Sequence, residues 1–201
     1  MLFLSILLLA FGLVCSTHPL EERQLRTTEP FKLYAYGPGI SGLPVFYRNG
    51  IKSTSQTTKI SNESKVDTAT MAAMTPINFT AATGNTFVAH PSNSTSSTED
   101  FTTLSTNTNM LCLDRGNTDS NPVGFTGAPA REQSNTTRLS NVWSTYGSYV
   151  LVTVTGANFY ARQTGTDGLY SLLWSSSAEA MTDTIPLVLR TTEPATASVL
   201  T

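Results

Sequence analysis

Cysteine, histidine and charge are all scarce in this sequence, and each scarcity closes off a class of function. Two Cys and two His among 201 residues form no cluster that would hold zinc, which asks for three or four such ligands together. His18 lies in the N-terminal lead-in, so His90 alone could serve as a base, and no G-x-S-x-G elbow supplies it with a nucleophile. Charged residues make up 13% of the chain and the formal net charge is −2. Nucleic-acid binders need a dense Lys/Arg footprint, and capture at an anionic membrane needs a basic cluster. Neither partner is expected. Nor is any cofactor or catalytic residue.

What the chain has in abundance is small hydroxyls. It holds 33 Thr and 22 Ser, together 55 of 201 residues. Thr is β-branched and suits exposed strand faces, while Ser favours turns, so the composition supports strands and polar loops over long amphipathic helices. The length fits one domain that can bury a core without disulfides.

Residues 2–14 (LFLSILLLAFGLV) form a nearly unbroken apolar run directly after Met1. Such a run is too short to span a bilayer, which takes roughly 20 residues, and it matches the hydrophobic region of a signal peptide. Val14-Cys15-Ser16 suits cleavage after Ser16. The expectation is a secreted chain with a signal peptide over 1–16, a flexible lead-in over 17–30, one β domain over 31–194 and a frayed tail over 195–201. No hydrophobic tail follows Thr191, so no GPI anchor is expected. Removal of Cys15 leaves Cys112 alone, which excludes an internal disulfide. In its apolar run (Met110-Leu111-Cys112-Leu113), Cys112 reads as a buried small hydrophobe.

Period-two alternation and turn residues predict strands over 31–36, 43–47, 77–81, 86–90, 110–113, 123–126, 149–155, 158–162, 169–174 and 185–190. Asn49-Gly50 and Asp167-Gly168 carry hairpin-turn chemistry, and Asp167-Gly168 is expected to join the strands on either side of it. The tract 92–99 (SNSTSSTE) is of low complexity. Many short strands joined by polar turns predict an all-β fold, a single antiparallel β-sandwich or barrel with long Ser/Thr-rich loops.

Several motifs reduce to structural readings. Gly37-Pro38-Gly39-Ile40-Ser41-Gly42 fits G-x-G-x-x-G, but the extended segment 43–47 follows where the dinucleotide fingerprint needs a helix. It is expected to be a glycine turn. Asp114, Asn117, Asp119 and Asn121 gather oxygen atoms, yet the calcium-loop pattern fails at Pro122 and Ala128, so an Asx-rich turn is expected. All acidic residues between Phe31 and Arg190 fall in predicted loops or turns, which leaves no identifiable pair of glycosidase carboxylates. Candidate N-glycosylation sites are Asn62, Asn78, Asn93 and Asn135; about three sequons are expected from Asn and Ser/Thr content alone, so their number carries no information. Among the aromatics, Trp143, Tyr160, Tyr170 and Trp174 are candidate carbohydrate contacts. The competing expectation, that they fill the core, is favoured.

Segments 31–37 (FKLYAYG), 42–50 (GLPVFYRNG), 123–126 (VGFT), 143–147 (WSTYG), 159–174 and 185–194, taken in order, resemble a group of small secreted proteins of filamentous fungi that has no assigned activity. The resemblance implies an extracellular or cell-wall setting and carries over no functional residue. The favoured expectation is therefore a secreted, glycosylated, non-enzymatic protein that acts by surface contacts. The alternative is a lectin-like module, or a disguised glycosidase, that takes cell-wall or host glycans. One further feature, the hexapeptide LRTTEP at both 25–30 and 189–194, has no explanation in the sequence.

Overall fold

The computed structural model describes residues 29–48, 57–61, 65–72, 74–91, 110–115, 121–125, 137–177 and 181–195. Among these residues thirteen strands and one short helix run in the order β1 (Tyr34–Gly37), β2 (Ile40–Arg48), β3 (Thr57–Ser61), α1 (Thr68–Ala72), β4 (Met74–Ala82), β5 (Thr86–Pro91), β6 (Leu111–Arg115), β7 (Asn121–Phe125), β8 (Thr137–Leu139), β9 (Trp143–Tyr146), β10 (Tyr149–Val152), β11 (Asn158–Gln163), β12 (Leu169–Ser175) and β13 (Ile185–Arg190). The fold is all-β, as the composition leads one to expect.

Strand pairing closes on itself. β1 pairs with β2, β2 with β3, β3 with β12, β12 with β11, β11 with β13, and β13 returns to β1, every step antiparallel. Closure pairs the strands of this ring on both sides, which removes the exposed edges that invite aggregation. Three outer groups extend the ring. The β4–β5 hairpin joins along β2, β7 joins β12 and β3 and carries β6 and β8, and β10 with β9 continues from β13.

Local chemistry accounts for the joins. β1 and β2 are linked by Pro38-Gly39, with Pro supplying the fixed negative φ and Gly39 a φ of 74°, the residue order of a type II turn. Pairing then passes from Tyr36↔Ser41 to Ala35↔Leu43, so Gly42 is an extra residue, a β-bulge with φ 75°. That is the bulge type that wants glycine in the left-handed region. A Cβ at Gly42 would also lie 2.6 Å from the Pro194 ring. The glycine motif is thus a turn plus a bulge, with β2 and not a helix behind it.

The predicted hairpin over Asp167-Gly168 is present, with β11 paired to β12 from Asn158↔Ser175 to Gln163↔Tyr170. The strand predicted over 149–155 ends at Val152, and β3, β8, β9 and α1 are additional to the sequence reading. Asn49-Gly50 and the tract 92–99 lie outside the described residues. Asp114 corrects an expectation. It is placed within β6 and is buried, not in a loop.

Both faces of much of the ring are covered. Inward residues of the strands form one large cluster that includes Leu33, Val45, Tyr47, Ile60, Phe159, Leu172, Trp174 and Leu189. A row of rings crosses it: Phe31 meets Phe87 edge-on at 5.2 Å, Phe87 stacks on Trp143 at 5.7 Å, and Trp143 stacks on Phe159 at 5.9 Å. A second, smaller cluster of Phe46, Val66, Met74 and Leu169 holds the segment around α1 against the ring's other side.

Candidate interaction surface

The aromatic residues singled out for carbohydrate contact are placed mostly inside. Trp143 and Trp174 are each 1% exposed, and Tyr160 is 8% exposed. Trp143 donates its indole N–H to the Leu111 carbonyl at 2.7 Å, and Trp174 donates to the Asp114 carbonyl at 3.0 Å. Both tryptophans therefore pin β6 to the core through its backbone. Tyr170 is half-buried and packs against the main cluster. As carbohydrate platforms Trp143, Tyr160 and Trp174 are corrected: buried rings present no open face to a sugar.

Of the four sequons, Asn78 alone falls among the described residues. It is a half-buried position in β4, paired across the hairpin with His90. Asn62, Asn93 and Asn135 lie outside them. His90 is exposed, and its Nε2 sits 2.9 Å from the Thr80 hydroxyl. No acid or nucleophile joins them in the contacts described.

One polar cluster is buried. The Arg138 guanidinium lies 3.2 Å from the Asp114 carboxylate, and the Cys112 thiol donates to the same oxygen at 3.5 Å. Burial, and then the neighbouring negative charge of Asp114, push the Cys112 thiol far above its usual range. It stays protonated and is a poor nucleophile, because the thiolate is the reactive form. Burial also raises the Asp114 pKa, opposed by Arg138. Such an arrangement is a structural ion pair. Asp114, proposed in sequence as one of several Asx oxygens, is occupied by its own neighbours. Among the described residues no group of three His, Cys, Asp or Glu could hold a metal, and no helix is long and apolar enough to cross a membrane.

The surface offers a different feature. Four large hydrophobic residues are exposed among the described residues: Tyr146 (70%), Tyr149 (43%), Leu151 (48%) and Val188 (45%). Strand register puts all four on one face. Tyr149 stands opposite both Tyr146 of β9 and Arg190 of β13, and Tyr36 of β1 stands opposite Val188. Leu151 shares the face with Tyr149 because alternate strand residues point the same way. The opposite face carries Ala35, Leu189, Val150 and Trp143, all buried in the main cluster.

Arg190 sits at the centre of this face. Its guanidinium lies 4.5 Å from the Tyr149 ring centroid and 5.4 Å from that of Tyr36. Each contact is a cation–π attraction worth roughly 0.5–1 kcal/mol when exposed. Tyr36 is fixed in turn, its hydroxyl donating to the Thr192 carbonyl at 2.9 Å. The C-terminal LRTTEP now has a physical reading. Leu189 fills the core, Arg190 lies against the two rings, the Thr191 amide bonds to the Ser148 carbonyl, Thr192 accepts from Tyr36, and Pro194 lies against Gly42.

Tyr146 and Tyr149 lie in the C-terminal third with Trp143, Phe159, Tyr160, Tyr170 and Trp174, and composition alone does not separate them from those residues. The available signal was alternation across the turn: Trp143 and Thr145 point one way while Ser144 and Tyr146 point the other. Compared with known proteins, the chain matches no family model, no curated protein and no solved structure. What the fold itself defines is an antiparallel β-barrel with outer strands, one of whose faces carries the four exposed large hydrophobics of the described residues.

Proposed function

We propose that this chain is a secreted, glycosylated, non-enzymatic protein of a fungal extracellular or cell-wall setting. It acts by contact through the outer face of β1, β13, β10 and β9. The observation that carries this reading is that all four exposed large hydrophobics of the described residues share that face. The solvent face of an antiparallel sheet is ordinarily polar, and contiguous exposed apolar groups on a soluble protein mark interaction sites. The apolar run over 2–14 supports export, and the resemblance to secreted fungal proteins supports the setting.

Carbohydrate binding remains the second reading, moved from the buried tryptophans to the exposed rings of Tyr146 and Tyr149. It is the weaker of the two. No Asn, Gln, Asp or Glu of the four strands stands on this face to hold sugar hydroxyls.

The test is expression in a filamentous-fungal host of the wild type and of Tyr146→Ser/Leu151→Ser. The expected product begins near Thr17, and wild-type protein is retained in washed walls while the double variant passes into the medium. A cytosolic product beginning at Met1 would refute export. Equal partition of the two proteins would refute the role of the face.

A further inference from the structure

Resting on that contact reading, we propose that the face docks a protein segment that sets a carboxylate on Arg190 and an apolar side chain on the neighbouring tyrosines. Arg190 is the reason. Its Nε is buried and has no hydrogen-bond partner among the described residues, and the one ion pair found among them joins Arg138 to Asp114. The guanidinium is held against Tyr36 and Tyr149, whose π-faces attract the cation but accept none of its N–H groups in a conventional hydrogen bond. A planar fork of donors matches a carboxylate bidentately. The buried Nε is out of a ligand's reach, so a docking carboxylate meets the terminal N–H groups of the half-buried guanidinium, in a charge-assisted pair. The two rings hold the fork in one orientation beforehand, which reduces the ordering cost of binding.

Two observations choose the class of occupant. Tyr and Arg are, with Trp, the residues enriched in protein–protein hot spots, and here two tyrosines flank one arginine, with Tyr146, Leu151 and Val188 exposed on the same face. A sugar's hydroxyls also need side-chain acceptors, and the four strands carry no Asn, Gln, Asp or Glu. A second copy of the chain is disfavoured by charge. The strand positions of this face include no Asp or Glu, so a two-fold contact, which pairs a patch with itself, would offer neither copy's Arg190 a carboxylate from these strands.

The experiment selects a phage-displayed library of random linear peptides on the full-length protein. Titrations with polygalacturonate and light scattering for self-association run in parallel. Enriched peptides are expected to share an Asp or Glu flanked by apolar residues. Their affinity should fall at least about tenfold, or 1.4 kcal/mol, against Arg190→Gln, and should fall likewise against Tyr146→Ser. Replacing the peptide's own carboxylate by its amide should have the same effect, which keeps the test valid if Arg190→Gln does not fold.

Peptides that enrich without an acid, or that bind Arg190→Gln as well as wild type while losing Tyr146→Ser, would overturn the carboxylate proposal and leave the contact reading standing. Peptides indifferent to both variants would remove both. Arg190-dependent binding of polygalacturonate without peptide enrichment, or an Arg190-dependent dimer, would overturn the proposal in favour of an acidic glycan or a second copy. So would a library from which nothing enriches.

Discussion

Trp143 is, with Trp174, one of the two largest fully buried side chains among the described residues, and its removal can be reasoned through from its surroundings. The side chain is 1% exposed, stacked between Phe87 at 5.7 Å and Phe159 at 5.9 Å, and bonded through its indole N–H to the Leu111 carbonyl. Trp143→Ala removes the whole ring and leaves a cavity, a change that costs about 3–5 kcal/mol. Trp143→Phe keeps a ring in the stack but strands the Leu111 carbonyl, at a cost of about 1–3 kcal/mol. Stabilities of domains run from about 5 to 15 kcal/mol, so the alanine variant should sit near the edge of folding while the phenylalanine variant folds. Urea unfolding followed by far-UV circular dichroism measures both. If Trp143→Ala costs less than about 1 kcal/mol, or if Phe is as damaging as Ala, the stacked and hydrogen-bonded seat described here is wrong.

Three further outcomes follow from the same structure. Cys112 should resist alkylation in the native protein at mildly alkaline pH and react fully in denaturant, because burial keeps the thiol protonated; rapid native labelling, measured by mass spectrometry, would contradict its seat. Asp114 has a folded-state pKa above the ordinary 3.8, so the folded state binds more protons than the unfolded one just above that value. Its contribution to stability therefore falls as pH rises from 3.8 through the raised folded value. Asp114→Asn should lose that part of the pH dependence, and identical profiles of melting temperature against pH for the two proteins would count against it. Gly42→Ala should destabilise more than Gly39→Ala in urea unfolding. Both residues have φ near 75°, a conformation costing roughly 1–2 kcal/mol for a side chain, but only Gly42 would also drive a Cβ into Pro194. Equal costs would mean that Pro194 yields freely.

Strand chemistry made most of the C-terminal half legible. The strand predicted over 185–190 coincides with β13, and Asp167-Gly168 lies in the connection between the strands it was expected to join. Two of the misses have a common cause. β3 (TTKIS) and β8 (TRL) carry one large aliphatic residue each, too few for alternation to register. Each becomes a strand by pairing with partners distant in sequence, β3 with β2 and β12, and β8 with β6. Asp114 reads as a loop residue in sequence because its local string is rich in turn residues; Arg138, which pairs with it from another strand, is invisible to any local reading. The candidate surface was hidden for a related reason. Tyr36, Tyr149 and Arg190 come from three strands, and only register brings them together.

β12 shows why alternation could not distinguish core from surface here. Tyr170, Leu172 and Trp174 face the main cluster, while Leu169, on the other face, belongs to the second cluster with Phe46, Val66 and Met74. Leu173 is 6% exposed beside Tyr160. Both faces of β12 are buried, so an apolar residue on either one is explained by packing alone. Among the described residues β10 has no such cover on its outer side: Val150 is 3% exposed, whereas Tyr149 and Leu151 are 43% and 48% exposed. The strand inverts the polar-outside pattern expected of a solvated sheet face. Packing therefore accounts for Trp143, Tyr160 and Trp174, and Arg190 lies against Tyr149, but neither accounts for Tyr146 and Leu151. That asymmetry, more than aromatic content, is what directs a functional experiment to this face.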